Sequence, residues 1–456
     1  MKRQSVVLGL LLIVSLTLNA QTEKLFNETA AQKEARMAWW KEARFGMFIH
    51  WGLYAMPARH EWVRNNERIS NEDYQIYFDN FDPDKFNPKQ WAKDAKAAGM
   101  KYAVLTAKHH EGFCLWDSKY TDYKSTNTLA RRDLVKEFLD AFRAEGIRVG
   151  LYYSLIDWHH PDFTIDVFHP LRPPDNSPKE VWNELNKGRD MSKYRTYLFN
   201  QITELLTKYG KIDILWLDFS YPGNLGKGKD DWNSVALLKQ IRKLQPGIIV
   251  DNRLDLGKYA DAEDFETPEQ VSPSELLKYR GKTWETCQTF SGSWGYHRDE
   301  NSWKNNRQLL DLLITSTANG GNLILNVGPT ARGEFDYRAK IALDSLSKWA
   351  QENSKSIYGC TYAPEKYAVP AGTKLTYNPT TQKLYVHLFD YPKDGKLLLP
   401  GYGGKIKYAQ LLHDNSELLT PDKKRIVQFA DSQDIVLVLP EKKPDYTIPV
   451  IELILK

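Results

Sequence analysis

Cysteine is scarce in this chain. Only Cys114, Cys287 and Cys360 occur in 456 residues, and three widely spaced thiols make no disulfide framework; they read as buried free thiols. Charge of one sign is missing as well. Lys and Arg number 62 against 58 Asp and Glu, a net charge of +4 with no basic block, which argues against a nucleic-acid partner. The longest apolar run, Val6 to Leu18, is short for a bilayer span. No G-x-G-x-x-G or Walker loop follows any predicted strand, so a nucleotide site is not indicated. H-x-H, H-E-x-x-H and G-x-S-x-G are absent too, as are low-complexity tracts and exact repeats.

What is present begins at the amino terminus. Lys2 and Arg3 precede the apolar run, Ala20 ends it, and the chain turns polar at Gln21. That pattern is a secretory signal peptide over residues 1–20, with no Cys near the cut to take a lipid and no stable membrane anchor. The expectation is a soluble exported protein, periplasmic or secreted. Aromatic residues are plentiful, with 14 Trp and 25 Tyr. Their flat apolar faces with one polar handle suit sugar binding, although ordinary cores use them too.

Helix and strand patterns then alternate. Leu198, Ile202, Leu205, Leu206 and Tyr209 mark one apolar helix face, Gly210 stops it, and KIDILWLDFS follows as a strand. The same order recurs before KYAVLTAK, IRVGLYYSL, IIVDNR and NLILNVGP. With RFGMFIHWG, TWETCQTF and a short strand around Asp261 to Phe265, the expected strands number about eight, as a (β/α)8-like (TIM) barrel requires. A doubly wound open sheet fits less well, because the distinctive residues sit at many strand ends rather than at one switch point. After Gly359 only short alternating runs remain, such as KLYVHLF, KLLLP, IVQF and DIVLVLP, which predict a β-sandwich. The expected division is therefore a barrel over 21–358 and a sandwich over 359–456.

A barrel gathers the carboxyl ends of its strands on one face. His50 and Trp51 end the first strand, and His60, Glu61 and Trp62 follow in its loop. Lys108, His109, His110 and Glu111 end the second, Tyr152, Tyr153 and Ser154 the third, Trp216 and Asp218 the fourth, and Asp251, Asn252 and Arg253 the fifth. Asp261, Glu263, Asp264, Glu266 and Glu269 come next, and the seventh strand leads to Trp294. Three chemistries could use this set. His50, His109, His110 and a carboxylate could hold a metal in a barrel hydrolase, but adjacent strand residues such as His109 and His110 point to opposite faces; loss of activity to a chelator and its return with zinc would mark that case. A serine nucleophile lacks its elbow. Paired carboxylates among Trp, His and Tyr fit glycoside hydrolysis better, one attacking or activating water and the other protonating the leaving oxygen.

Plainer roles compete at each position. An Asp at a strand end commonly caps the next helix, yet FSYPGNLGKGKDDWN separates Asp218 from any helix. Adjacent histidines commonly split between core and surface, Trp216 and Trp294 could be core residues, and Glu266 reads as a solvated loop residue. A barrel that binds carbohydrate without chemistry is the remaining alternative. Trp216 and Asp218, two apart, share one side of their strand.

The motifs in combination resemble those of the α-L-fucosidases of glycoside hydrolase family 29. The resemblance rests on RFGMFIHWG (44–52), HEW (60–62), KHHEGF (108–113), LYYS (151–154), WLD (216–218), DNR (251–253), DFETPEQ (264–270), WETCQTFSGSWGYHR (284–298) and GGNLILNVGPT (320–330). It implies a barrel followed by a β-sandwich, no metal or other cofactor, and a fucosylated oligosaccharide or glycoconjugate as substrate. By the same resemblance Asp218 is the nucleophile and Glu269 the acid/base of a retaining double displacement. His50, Glu61, His109, His110, Tyr152, Trp216 and Arg253 contact fucose, and Trp62 and Trp294 line its apolar side. Such chemistry asks for an ionised Asp218 near His and Arg donors, a Glu269 held protonated by apolar and anionic neighbours, and carboxyl groups roughly 5 to 5.5 Å apart.

Overall fold

The computed structural model describes residues 23–223, 225–426 and 433–456. The expected signal peptide lies outside the described residues, as does most of the expected strand IVQF. Seven strands, β1 (Phe45–Ile49), β2 (Tyr102–Lys108), β3 (Arg148–Ser154), β4 (Ile214–Asp218), β5 (Ile249–Val250), β6 (Glu285–Thr289) and β7 (Asn322–Val327), form one parallel sheet in the order β5-β4-β3-β2-β1-β7-β6. Helices connect them. Pro88–Ala97, Leu134–Ala144, Met191–Lys208, Ser234–Leu244 and Asn306–Ala318 stand where the apolar periodicity put them, and the left-handed backbone at Gly146 (φ 75°) and Gly210 (φ 70°) releases the chain from two of them into β3 and β4.

The sheet curls. Phe48, Val104, Tyr152, Trp216, Ile249, Cys287 and Ile324, one from each of the seven strands, share a single buried cluster, which a flat sheet could not bring together. Their neighbours Ile49, Leu105, Leu151 and Leu217 pack outward against the helices, so strict alternation assigns one face to the interior and one to the helical layer. The helix Ala30–Ala43 covers the amino ends of the strands, sending Met37, Trp40 and Ala43 into the interior cluster.

The eighth strand expected around Asp261 to Phe265 does not form, and no continuous ladder closes the wall between β5 and β6. The segment makes only single bridges, Asp251 with Phe265 on one side, Glu266 with Trp284 and Glu269 with Cys287 on the other. Side chains and a proline account for this. The Asp264 carboxylate accepts from Arg36 (2.8 and 2.9 Å), Arg242 (2.5 Å) and the Val250 amide (2.9 Å). Asp261 accepts from the Leu25 and Phe26 amides (2.7 and 2.8 Å), and Pro268 has no N–H to offer a ladder.

Beyond the parallel sheet, β8 (Thr373–Asn378), β9 (Lys383–Leu388), β11 (Ile406–Leu411) and β13 (Val450–Leu455) pair antiparallel in the order β11-β13-β9-β8. β10 (Lys396–Leu399) and β12 (Ile435–Val438) form a second, two-stranded sheet. Val386, Leu397, Leu399, Leu437 and Leu453 fill the space between them, a sandwich core separate from that of the barrel-like wall. Lys374 of β8 ties it to Asp311 and Thr315 on the helix Asn306–Ala318, and the Trp349 indole donates to the Ile448 carbonyl at 2.9 Å.

Candidate active site

The carboxyl ends of the strands surround a cavity of about 130 Å³. A larger cavity of about 820 Å³ lies elsewhere, between the segment Pro273–Tyr279, the helix Asn306–Ala318 and β8. Its one carboxylate on the helix, Asp311, is already paired with Lys374, so chemistry rather than size selects the smaller cavity. All eleven candidate residues line it: Asp218 and Glu269; His50, His109 and His110; Glu61, Trp62, Tyr152, Trp216, Arg253 and Trp294.

Arg253 organises the charges. One nitrogen of its guanidinium, Nη1, donates to Asp218 Oδ1 at 2.9 Å, while Nη2 donates to Glu269 Oε2 at 2.7 Å. Nε is held by Thr267 Oγ1 at 2.9 Å, and the guanidinium lies over the Trp216 ring at 4.7 Å. Burial pulls Arg253 down, but Asp218 and Glu269 more than offset this and hold it above its ordinary range. Tyr152 donates to the other oxygen of Asp218 at 2.8 Å. Burial raises the Asp218 carboxyl, Arg253 opposes the rise, and the charge of Glu269 adds to it. The cation expected beside Asp218 is present, and so is a strong desolvation cost. Glu269 departs from expectation: its side chain is 40% exposed and ion-paired, not enclosed by apolar and anionic groups.

The three imidazoles are neutral. Burial drives His50 down to about 3 and holds His109 and His110 well below their ordinary value. The tautomers of His50 and His110 follow from the neighbours. Asn326 spends its amide on the Trp294 carbonyl (2.7 Å), so its oxygen accepts Nδ1–H of His50 (2.7 Å). Ser154 donates to the Ile156 carbonyl (2.7 Å) and accepts from Nδ1 of His110 (2.7 Å). Nε2 of each ring is thereby left as an acceptor. Among the lining residues, His109 Nδ1 is buried without a hydrogen-bond partner, whereas Glu61 Oε1 lies 3.2 Å from His60 Nδ1 and the Trp216 indole is turned towards Glu285. A polyhydroxylated ligand would repay that deficit. The second oxygen of Glu61 accepts the Gly295 and Trp294 amides at 2.8 and 3.2 Å.

Each lining carboxylate adjoins a residue in the left-handed region. His60 (φ 87°) precedes Glu61, Phe219 (φ 83°) follows Asp218, and Gln270 (φ 50°) follows Glu269. Non-glycine residues there are uncommon and strained, and the reversal they impose swings a carboxylate and its neighbour apart. Phe219 is thereby brought into the lining, 4.8 Å from His110 and 5.3 Å from Trp62 between ring centroids. Sequence reasoning missed it, with Phe48 and Cys287; the last two sit on inward-facing strand positions and were legible by alternation. The opposite-face expectation for His109 and His110 is also corrected. β2 ends at Lys108, both histidines lie in the turn beyond it, and their ring centroids are 4.0 Å apart inside the cavity wall.

Other strand-end residues turn away. Trp51 donates to the Thr330 carbonyl, Tyr153 to Gln201, and Lys108 pairs with Asp157. Glu111 accepts from Tyr74 and the Leu53 amide, bracing the loop that carries Glu61 and Trp62. Of the acidic candidates after β5, Glu266 pairs with Lys282 on the surface, and Glu269 alone joins Asp218 in the cavity. Among the described residues no group of three or more His, Cys, Asp or Glu is placed to hold a metal ion.

Two carboxylates, neutral imidazoles and aromatic rings at the carboxyl ends of a barrel-like parallel wall define a carbohydrate-cleaving enzyme, a glycoside hydrolase. The chain belongs to the α-L-fucosidase family, whose description matches residues 13–355. It is 31% identical over 411 residues to the plasma α-L-fucosidase of Homo sapiens, covering 83% of this chain and 82% of the other. α-L-Fucosidase isoenzyme 1 from Paenibacillus thiaminolyticus superposes with a TM-score of 0.82 at 43% identity, over 93% of this chain and 99% of that one. The α-L-fucosidase of Bacteroides thetaiotaomicron, trapped as a covalent intermediate with 2-fluoro-fucosyl fluoride, gives 0.79 at 28% identity, over 96% and 99%.

Proposed function

We propose that the chain is an exported α-L-fucosidase that releases terminal L-fucose from glycans with retention. Residues 1–20 act as its signal peptide, residues 21–358 as a (β/α)8-like catalytic barrel with the segment 264–270 standing between β5 and β6, and residues 359–456 as the sandwich. No helix among the described residues is long and apolar enough to cross a membrane.

The observation that carries the reading is the single guanidinium that bonds both carboxylates. One Arg bonding both puts the two carboxylates in a single pocket, as a pair of glycosidase carboxyls must be; the retaining course carries with it the expectation of a separation of roughly 5 to 5.5 Å. The covalent intermediate trapped in the Bacteroides thetaiotaomicron relative supports the same course.

In the first step Asp218 attacks the anomeric carbon. The bond to the leaving oxygen breaks, a Glu269 proton passes to that oxygen, and an ester joins fucose to Asp218. Glu269 must first give up its ion pair with Arg253 and take a proton. In the second step Glu269 deprotonates a water whose oxygen attacks the same carbon, the ester breaks, and fucose leaves with both carboxyls restored. Neutral Nε2 atoms of His50 and His110 accept sugar hydroxyls without adding charge beside Asp218. Trp62, Trp294 and Phe219 pack on the apolar edge.

Assaying Asp218→Ala and Glu269→Ala on an aryl α-L-fucoside, with and without azide, tests this. Asp218→Ala loses turnover, and near-normal turnover in that variant overturns the assignment. Glu269→Ala regains turnover with azide on the good leaving group, and no rescue removes Glu269 as the acid/base.

A further inference from the structure

Glu285 opens β6 two residues before Cys287, so its carboxyl shares the inward side of that strand. It is buried and takes no part in lining the sugar pocket. Tyr102, at the start of β2, donates to Oε2. The indoles of Trp40 and Trp216 are turned towards the same carboxyl. Among the described residues neither indole N–H, nor Glu285 Oε1, has a partner elsewhere. Two buried donors and one buried acceptor thus have only one another.

The two indoles differ in what their rings carry. Trp40 packs on Phe265, with ring centroids 4.9 Å apart, and lines no part of the pocket. Trp216 lines it. The Arg253 guanidinium lies 4.7 Å over the Trp216 ring, and Tyr152 stacks on that ring at 5.7 Å with the planes 20° apart. Arg253 and Tyr152 are also the side chains that donate to Asp218, at 2.9 and 2.8 Å. Glu269, Asp251 and Cys287 are the other titratable groups close enough to act on Asp218; around Glu285 they are Tyr102 and Cys287. Stacking and cation–π contacts hold the plane of a ring but tolerate rotation within it. A hydrogen bond from Nε1 is directional and stops that rotation.

We infer that Glu285 is a positioning residue for the reaction: by accepting from the Trp216 indole it fixes the ring on which Arg253 and Tyr152 rest, and with it their hold on Asp218. The inference rests on the fucosidase reading and adds to it a residue at the opposite end of the barrel-like wall. The role asks for an acceptor oxygen and not for a charge, so Gln serves in it and Met does not. Without the acceptor Arg253 is held less well, and Arg253 is what opposes the rise that burial imposes on Asp218. The ionised nucleophile then forms only at higher pH.

The test follows kcat/KM for an aryl α-L-fucoside against pH in the full-length protein. Glu285→Met lowers kcat/KM by about tenfold, the upper end for one net hydrogen bond, and moves the acidic limb to higher pH. Glu285→Gln restores the activity to within about threefold of the wild type. Trp216→Phe keeps an aromatic face without the N–H, and in that background Glu285→Met adds less than about twofold. Trp40→Phe takes the other indole from the same carboxyl and leaves the acidic limb in place, which separates positioning from lost stability. If Glu285→Met does not fold, Tyr102→Phe with Glu285→Met replaces both hydrogen-bonding partners by apolar groups and is used in its stead. An acidic limb that stays put without the Glu285 carboxyl, or losses that multiply in full with Trp216→Phe, overturn the positioning role. A wild-type protein inert on the aryl fucoside overturns the fucosidase reading instead, and the two failures are distinct.

Discussion

At both ends of the barrel-like wall a tyrosine hydroxyl donates to a buried carboxylate. At the carboxyl end Tyr152 donates to Asp218; at the amino end Tyr102, the first residue of β2, donates to Glu285, the first residue of β6. The surroundings differ. Asp218 bonds Arg253 and faces a cavity, whereas Glu285 is 1% exposed, has the Trp40 and Trp216 indoles beside it, and lies at the end covered by the helix Ala30–Ala43. Burial pushes Glu285 up to about 7. A buried carboxylate is held ionised by a cation beside it; without one, burial alone lifts its pKa towards neutrality and favours the protonated, hydrogen-bonded form.

Matched isosteric changes at the two ends break or sharpen this contrast. The largest effect is expected from Asp218→Asn, which lowers turnover of an aryl fucoside by roughly 10⁴-fold or more, while Glu285→Gln keeps it within about threefold. Steady-state kinetics on both purified variants decides; similar losses would erase the distinction. Arg253→Met comes next. It leaves Asp218 buried without its cation, costs about 10²- to 10³-fold in kcat/KM, and raises the Asp218 carboxyl further. The acidic limb of the pH–rate profile therefore moves to higher pH, because the proposed nucleophile is the ionised form.

The third prediction concerns stability. Glu285 titrates near 7 in the folded protein and near 4.3 unfolded. A raised folded value contributes stability that is fully present below about pH 4.3 and lost as pH rises through about 7, a change on the order of 4 kcal/mol across the window. Glu111, also pushed up to about 7 by burial, acts in the same direction. Urea unfolding at pH 5 and pH 8 should show Glu285→Gln removing part of the wild-type slope. An unchanged slope would mean that Glu285 stays ionised. The smallest effect is Ser154→Ala, which frees the His110 tautomer and costs about five- to tenfold in kcat/KM, with melting temperature as the check that the fold persists.

Much of this contrast was legible along the chain, though unevenly. Trp216 and Asp218 share the inward side of β4 because their spacing is two, and WLD, DNR and HEW marked residues that the fold brings to one cavity. Phe219 was not legible, since strand alternation turns it away from Asp218 and only its left-handed backbone returns it. Glu285 was also missed. As the first residue of a predicted strand it carried no sign of whether it would meet solvent or the covering helix. The absent eighth strand has the same origin: Asp261 and Asp264 were placed in a short strand, but distant backbone amides and two arginines claim them.

The sequence by itself determined which residues of the seven strands face inward and where the principal helices stop, because pleat, helical period and glycine turns are set by neighbouring residues. Only the tertiary structure decided which inward residues meet. Joining Asp218 and Glu269 around one guanidinium, with His50 in the same cavity, depends on how far the sheet curls and on which donors win each buried carboxylate. Those outcomes are settled by competition among groups far apart in the chain.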